Sequence, residues 1–285
     1  MTKVSSIYQK ITKRTGLLDF GYAGVPCCRI NDHDLLLFDS GMEDRPDIFD
    51  KMDAAGLRVR AVLHTHLHTD HWRNNALIAR RYHAEFFADE REITDAAETL
   101  ASGKDKEYEG FDPALYTPFT ADTPYLDIDG TRIRLLPTPG HSPGHTAFIT
   151  PDRVLMAGDS FVSQKVLDAS KIPYFWEIEE GIRSMLTIAD TDCDYYVPAH
   201  KGIVRKEELK TLLFNNIATQ GHLTLLAAGL ADTPLSREDL ITRVFEKLSI
   251  PHLQHVYWIR YMVESHIDKA LRRGMLVETD GVLRN

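Results

Sequence analysis

The sequence predicts an α/β protein in two parts: a layered domain over residues 1–204, then a small, mainly helical, winged-helix-like domain over residues 205–285. Three observations predict it. Short apolar runs alternate with helical stretches up to about residue 204, the pattern of strands layered against helices. Helical periodicity then takes over, with few strand-like segments. The chain closes on an alternating segment, Met275 to Leu283, around Asp280-Gly281, which is a hairpin signal.

In order along the chain, Leu35-Leu36-Leu37-Phe38 is an apolar run stopped by the turn-forming Asp39-Ser40-Gly41, and it reads as a buried strand. A helix follows from Arg45 to Gly56, with Ile48, Met52 and Ala55 at helical spacing and Gly56 as its stop. Val59 to Leu63 is a second strand, Asn74 to Tyr82 a helix, and Glu85 to Ala88 a short strand. The polar stretch from Arg91 to Tyr125 has no clear period and is assigned to helix and loop. Strands resume at Leu126–Ile128, Thr131–Leu136, Thr146–Ile149 and Val154–Met156; turn-rich Pro137-Thr138-Pro139-Gly140 and Ser142-Pro143-Gly144 separate the middle two. A helix from Glu177 to Ala189 and a strand at Tyr195-Tyr196-Val197 complete the layered part. The second part carries helices at Lys206–Gly221, Leu223–Gly229, Arg237–Leu248 and Tyr257–Gly274; with the closing hairpin they suggest a winged helix-turn-helix.

The 285 residues are 43% hydrophobic and 26% charged, a globular balance that excludes disordered and collagen-like classes. The net charge of −9 argues against a general binder of phosphate backbones. It is unevenly placed: residues 205–285 are net +1, leaving −10 on the rest. Three cysteines, two of them the adjacent Cys27 and Cys28, make no disulfide framework and read as free thiols. The first twenty residues lack the apolar stretch of a signal peptide. No later run approaches the ~18 apolar residues of a membrane span, so the expected location is the cytoplasm, with no membrane partner.

The count out of line is histidine, at 13. Four of these fall in His64-Thr65-His66-Leu67-His68-Thr69-Asp70-His71, directly after a predicted strand. Ring nitrogens and a carboxylate are what a zinc-class cation takes as ligands. In extended geometry His66 and His68 point to one side, and the turn that follows can aim Asp70 and His71 at a second position. A chance polar loop is the plain alternative, but four histidines this close serve no packing purpose and repel one another when protonated. Further candidates stand at other strand ends: His141 in Pro139-Gly140-His141-Ser142-Pro143-Gly144-His145, Asp159 in Gly158-Asp159-Ser160, and His200 in Pro198-Ala199-His200-Lys201-Gly202.

In this order, these residues resemble the metallo-β-lactamase superfamily of dinuclear metallohydrolases. The match is to its H-x-H-x-D-H pattern at His66 to His71 and to its later His, Asp and His, over roughly residues 20 to 204. The resemblance implies an αββα sandwich with the site along one edge. It also implies two divalent metal ions, zinc first, with iron and manganese as alternatives. One would take His66, His68 and His141, the other Asp70, His71 and His200, with Asp159 bridging. Two such cations can share a water, acidify it to a bridging hydroxide and polarise the oxygen of the bond it attacks. Asp70 is the expected catalytic carboxylate, orienting that hydroxide or moving its proton. His145 is expected to buttress the site, His64 to be packed, and Asp39 to hydrogen-bond the metal loop or cap its turn.

Departures from relatives narrow the reaction. Asp159 stands where zinc β-lactamases carry a cysteine or lack the bridge, which argues against antibiotic hydrolysis. His68 stands where flavodiiron relatives place a glutamate, which favours hydrolysis over redox chemistry. Val162 replaces the tyrosine of acyl-homoserine lactonases, and the Cys-Gly-Arg segment of hydroxyacylglutathione hydrolases is absent after Asp159. Trp72-Arg73 replaces a common Gly-Gly. The expected substrate wall is Trp72, Phe161, Tyr174 and Trp176, the last two in the aromatic run Ile172-Pro173-Tyr174-Phe175-Trp176, for which packing against the C-terminal domain is the equal alternative.

The resulting expectation is a hydrolase of a small ester, thioester or lactone. The alternative is a metal-dependent endoribonuclease or phosphodiesterase whose C-terminal domain binds RNA through Lys269, Arg272 and Arg273. Nucleic acid is the lesser reading, because basic groups suit the end of any helix and Glu264 and Asp268 dilute the patch. A lid or a homodimer contact is the favoured role for that domain.

Overall fold

Leu35 and Leu37 face one core while Leu36 and Phe38 face another, so the first predicted strand is buried on both sides. A computed structural model describes residues 8–21, 23–103, 105–200, 202–250 and 257–285. Residues 1–7, the start of the stretch read as lacking a leader, and Lys201 in the His200 motif lie outside them. The strand belongs to a seven-stranded sheet ordered as in the chain: β1 (Tyr8–Lys10), β2 (Thr15–Asp19), β3 (Gly24–Arg29), β4 (Asp34–Phe38), β5 (Arg58–Leu63), β6 (Glu85–Asp89) and β7 (Tyr116–Phe119). The first four strands pair antiparallel and the last four parallel. Helices α1 (Pro46–Ala54), α3 (Asn75–Tyr82) and α4 (Glu90–Ser102) cross between the parallel strands, with the single turn α2 (Thr69–Trp72) between β5 and α3.

The second sheet runs β13 (Val204–Arg205), β12 (Tyr195–Pro198), β11 (Val154–Gly158), β10 (Thr146–Ile149), β9 (Thr131–Pro137) and β8 (Tyr125–Ile128). The sheets meet face to face through Cys28, Leu36, Phe38, Ala61 and Leu63 on one side and Ile133, Leu135, Phe148, Met156 and Val197 on the other. Helices cover both outer faces, giving the expected αββα layering: Ile48, Phe49, Met52 and Ile78 on the first sheet, and α5 (Gln164–Ser170) and α6 (Ile178–Ala189) on the second.

The sequence reading missed α5, the short β13 and β14 (Leu235–Ser236), and four strands of the first sheet. β1, β2 and β3 are antiparallel strands carrying Gly16, Gly24 and Pro26, residues of low strand propensity. β7 contains Pro118 and buries only its two end residues, so it shows no alternation; as the end strand of its sheet it tolerates a proline. The two helices predicted around Gly221 are one, α7 (Lys206–Gly229). A mid-helix glycine costs only about 1 kcal/mol, and Leu213, Leu223 and Ala227 bury the same helix across it.

The C-terminal unit continues with β14 (Leu235–Ser236), α8 (Arg237–Leu248), α9 (Tyr257–Arg272), β15 (Val277–Thr279) and β16 (Val282–Arg284); the predicted hairpin turns at Asp280 and Gly281, both with positive φ. The unit shares its core with the second sheet. Leu155, Ala157 and Tyr196 from the sheet, Met185 and Ile188 from α6, and Leu213, Val244, Met262 and Ile267 from the C-terminal helices form one cluster. Of the basic residues near the end of α9, Lys269 is buried against Glu179 of α6 at 3.2 Å and Arg273 pairs with the same carboxylate at 2.9 Å, leaving Arg272 exposed. Among the described residues, no helix is long and apolar enough to cross a membrane.

Phe148 sits between the rings of Phe38 and Phe119, at centroid distances of 5.6 and 6.1 Å. Phe148→Ala is expected to cost about 3–5 kcal/mol of stability, read as a lower urea midpoint with an unchanged slope.

Candidate metal centre

The strand ends that face one edge of the sandwich bring seven side chains together. β5 runs out at Leu63, and the next eight residues pass through an extended stretch into α2. His66 and His68 project from the stretch, Asp70 and His71 from the turn. His141 lies in the loop between β9 and β10, Asp159 immediately after β11, and His200 after β12. Among the described residues, ligand atoms of His66, His68 and His141 lie within 4.8 Å of one another; so do those of Asp70, His71, Asp159 and His200. His68 Nδ1 is 3.0 Å from His141 Nε2. Asp159 Oδ2 lies 3.1 Å from His200 Nε2, 3.5 Å from His141 Nε2 and 3.7 Å from His71 Nε2, which places this carboxylate between the two groups.

Hydrogen bonds behind the rings decide which nitrogens face inward. Asp39, buried at the end of β4, accepts from the Thr65 N–H and hydroxyl, each at 2.8 Å, and from His71 Nδ1 at 2.9 Å. The Thr65 oxygen, its proton committed to Asp39, accepts from His66 Nδ1 at 3.0 Å. His141 Nδ1 donates to the Tyr174 carbonyl at 3.2 Å. Each of these rings thereby turns its Nε2 into the site, and the buried Nε2 atoms of His66 and His71 and Oδ1 of Asp159 have no hydrogen-bond partner. Buried polar atoms are rarely left so. A divalent cation in each group would satisfy them, so the donor set fits a pair of zinc-class ions.

Two more residues hold the loops, and the sequence reading named one. His145 donates from Nδ1 to Thr138 at 2.8 Å and accepts the Asp159 N–H on Nε2 at 3.0 Å. Burial pushes its pKa down to about 4, which keeps that nitrogen an acceptor. Gly158 allows the approach: it has φ +51°, and a Cβ there would lie 2.6 Å from both His145 Nε2 and Thr65 Oγ1. The residue missed is Glu92 of α4. Its buried carboxylate accepts the Leu67 N–H at 3.0 Å and the Gly144 N–H at 2.7 Å, tying the His66–His68 loop to the His141 loop. The signal was present, since Glu92 stands four residues before buried Ala96 on the apolar stripe of its helix.

His64 is packed as expected, stacked on Phe86 with Nε2 at 2.9 Å from Asn75. Two expected wall residues are corrected. Trp72 exposes 6% of its surface and packs edge-on against Phe111, because the turn α2 directs it into the helix layer of the first sheet. Phe161 exposes 1% and belongs to the core under the second sheet. Tyr174 does reach the site, its ring 5.3 Å from His141 and 5.9 Å from His68. Trp176, 49% exposed, stands at the surface beside it.

Charge divides the site without metal. Burial, then the neighbouring His71, His68 and His141 rings, hold the His66 pKa well below its ordinary value, and burial takes His141 down to about 3. Burial acts the same way on His71 and His200, but carboxylates outweigh it: Asp70 and Asp39 raise His71 well above its usual value, and Asp159 and Asp70 raise His200 to about 10. Burial opposes ionisation of Asp70, yet His71 and His200 bring it to about 2.

A family model described as the Metallo-beta-lactamase superfamily matches residues 26–200. The chain is 27% identical over 118 residues to a hydroxyacylglutathione hydrolase of Dechloromonas aromatica (strain RCB), covering 41% of this chain and 37% of that one. It is 23% identical over 235 residues to an atrochrysone carboxyl ACP thioesterase of Passalora fulva, covering 79% and 62%. It thus spans less than two thirds of either relative. In fold it resembles a metallo-beta-lactamase family protein of Thermus thermophilus, with a TM-score of 0.70 at 18% identity, over 98% of this chain and 97% of that one.

Two outcomes are expected from this arrangement. In the metal-free protein the carboxylates hold the proton on His200 up to about pH 10 and favour one on His71, whereas burial disfavours protonation of His66 and His141. Filling the Asp70/His71/Asp159/His200 group should therefore release more protons than filling the other, and its affinity should rise with pH up to about 10 as His200 loses its proton. Filling the other group releases none from His66 or His141. Calorimetry in buffers of different ionisation enthalpy separates the two; equal release for both metals contradicts the division. Glu92→Ala leaves two buried N–H donors unpaired and is expected to cost about 3 kcal/mol, with weaker retention of both metals against a chelator.

Proposed function

The chain belongs to the metallo-beta-lactamase superfamily, and from that premise we propose that it is a hydrolase using two divalent metal ions, zinc first, on a small ester, thioester or lactone. The observation that carries the proposal is the pair of buried donor groups meeting at Asp159, with Nε2 of His66 and His71 lacking a hydrogen bond. When bound, two such cations supply an activated water and a Lewis acid for the oxygen of the scissile bond. His66, His68 and His141 would hold one, and Asp70, His71 and His200 the other, with Asp159 between them. Asp70 Oδ2, 3.3 Å from His200 and 3.6 Å from His71, is the proton-handling carboxylate, because it lies at the partly exposed rim while Asp159 is buried. Tyr174 flanks the first group and gives an acyl or leaving group an apolar face. A thioester is favoured within this range by two relatives named for that chemistry.

The C-terminal order of helix, strand, two helices and hairpin supports reading it as winged-helix-like. The nuclease alternative loses support there, because Lys269 and Arg273 spend their charge on Glu179.

With two zinc ions per chain, the protein is expected to hydrolyse aryl esters and acyl thioesters faster than an activated phosphodiester. Asp70→Asn, which keeps an oxygen ligand, should lower kcat by about 100-fold or more. Less than one metal per chain after loading overturns the centre; a phosphodiester preference, with salt-sensitive RNA binding, favours the nuclease.

A further inference from the structure

The segment Ile172–Trp176 runs as a strap between the metal centre and the C-terminal helices, hydrogen-bonded on both sides in alternation. Toward the metal centre, the Tyr174 carbonyl accepts from His141 Nδ1 at 3.2 Å and the Trp176 N–H donates to the His141 carbonyl at 3.3 Å. The adjoining Glu177 N–H donates to the Gly140 carbonyl at 2.9 Å. Toward the C-terminal helices, Gln220 of α7 donates to the Pro173 carbonyl at 3.3 Å, Met262 Sδ of α9 accepts the Phe175 N–H at 3.1 Å, and the Tyr261 hydroxyl donates to the Trp176 carbonyl at 2.8 Å. The Tyr261 ring also lies 5.9 Å from that of Tyr174.

Space admits no slack on the inner side. A Cβ at Gly181 would lie 2.4 Å from the Phe175 ring, and one at Gly140, where φ is +132°, would lie 2.2 Å from the Gly181 nitrogen. The strap is therefore pressed between α6 and α9, and the height of the Tyr174 carbonyl over His141 is set by contacts made 47 to 87 residues later in the chain.

We propose that α7 and α9 are a positioning device for His141 in the His66/His68/His141 half of the centre: Gln220, Tyr261 and Met262 hold the strap so that Tyr174 fixes the Nδ1–H tautomer of His141 and leaves its Nε2 for the metal. His71 of the other half, and His66 through Thr65, are anchored by Asp39 and, among the described residues, make no hydrogen bond to the strap. This assigns the C-terminal unit a role in metal retention, and Tyr261 and Met262 are positioning residues that touch neither metal nor substrate. The proposal rests on the two-metal reading of the site.

The test uses full-length protein, zinc-loaded and labelled with 15N at histidine, as the parent and as the Tyr261→Phe/Met262→Leu double variant. The parent must first take up two zinc ions per chain; failure there overturns the reading of the centre itself. In the variant, exchange of the His141 Nδ1 proton with solvent is expected to quicken about tenfold or more, and one of the two zinc ions to be lost to a chelator at about tenfold lower concentration. The His71 Nδ1 proton, held by Asp39, should not change. Leu240→Ala, a cavity in α8 outside the strap's hydrogen bonds, should lower stability without altering the ratio of the two exchange rates. An unchanged His141 proton, or His141 and His71 quickening together, overturns the proposal. If the double variant does not fold, Tyr261→Phe alone is read by the same ratio.

Discussion

The buried carboxylate of Asp39 is the contact on which the centre depends. A lone charge in that position would be expensive to bury, and Asp39 is compensated by three donors, all from the metal-bearing segment: the Thr65 N–H, the Thr65 hydroxyl and His71 Nδ1. Because the Thr65 hydroxyl is thereby oriented, the same carboxylate reaches His66 through one intermediate oxygen. One residue at the end of β4 thus sets ring orientation in both ligand groups. Its φ of +65° is a strained value for a non-glycine residue, and it turns the chain so that the carboxylate faces β5.

The other loops are fixed by similar buried polar links. Glu92 bonds two backbone amides from different loops, and His145 takes the Asp159 amide while held by Thr138. These links lie between chain segments far apart in sequence. They are also mutually consistent: each side chain that receives a proton on one face presents a lone pair or a fixed backbone group on the other. Pre-set geometry of this kind is what a metal site needs, since ligands that must be ordered at binding lower its affinity.

The ligands were legible because their chemistry is local: four histidines and an aspartate in eight residues admit few other uses, and His141, Asp159 and His200 each follow a recognisable strand. The α/β layering was legible from the alternation of apolar runs with helices, and its αββα form from the resemblance carried by the ligand residues. What was not legible depends on direction or on distant partners. Trp72 and Phe161 stand beside ligands in sequence, yet their side chains leave on the far side of the backbone into two different cores. Pro118 concealed a strand that needs no donor at a sheet edge, and Gly221 suggested a break that packing on α6 and α9 overrides. The aromatic run Ile172–Trp176 admitted packing on the C-terminal domain as well as a substrate wall, and the structure shows both for Tyr174; the hydrogen bonds to Gln220, Tyr261 and Met262 were not legible, because they depend on partners distant in sequence.

The core shared between the second sheet and the C-terminal helices bears on how the protein is made. Leu155, Ala157 and Tyr196 are buried by residues as late as Leu283. During vectorial synthesis the outer face of that sheet is therefore covered only in part, by α5 and α6, until the C-terminal helices have left the ribosome. Until then the nascent chain carries an adhesive surface of the kind chaperones shield. Emergence of those helices, more than completion of the ligand set at His200, is the event that lets this half of the molecule close.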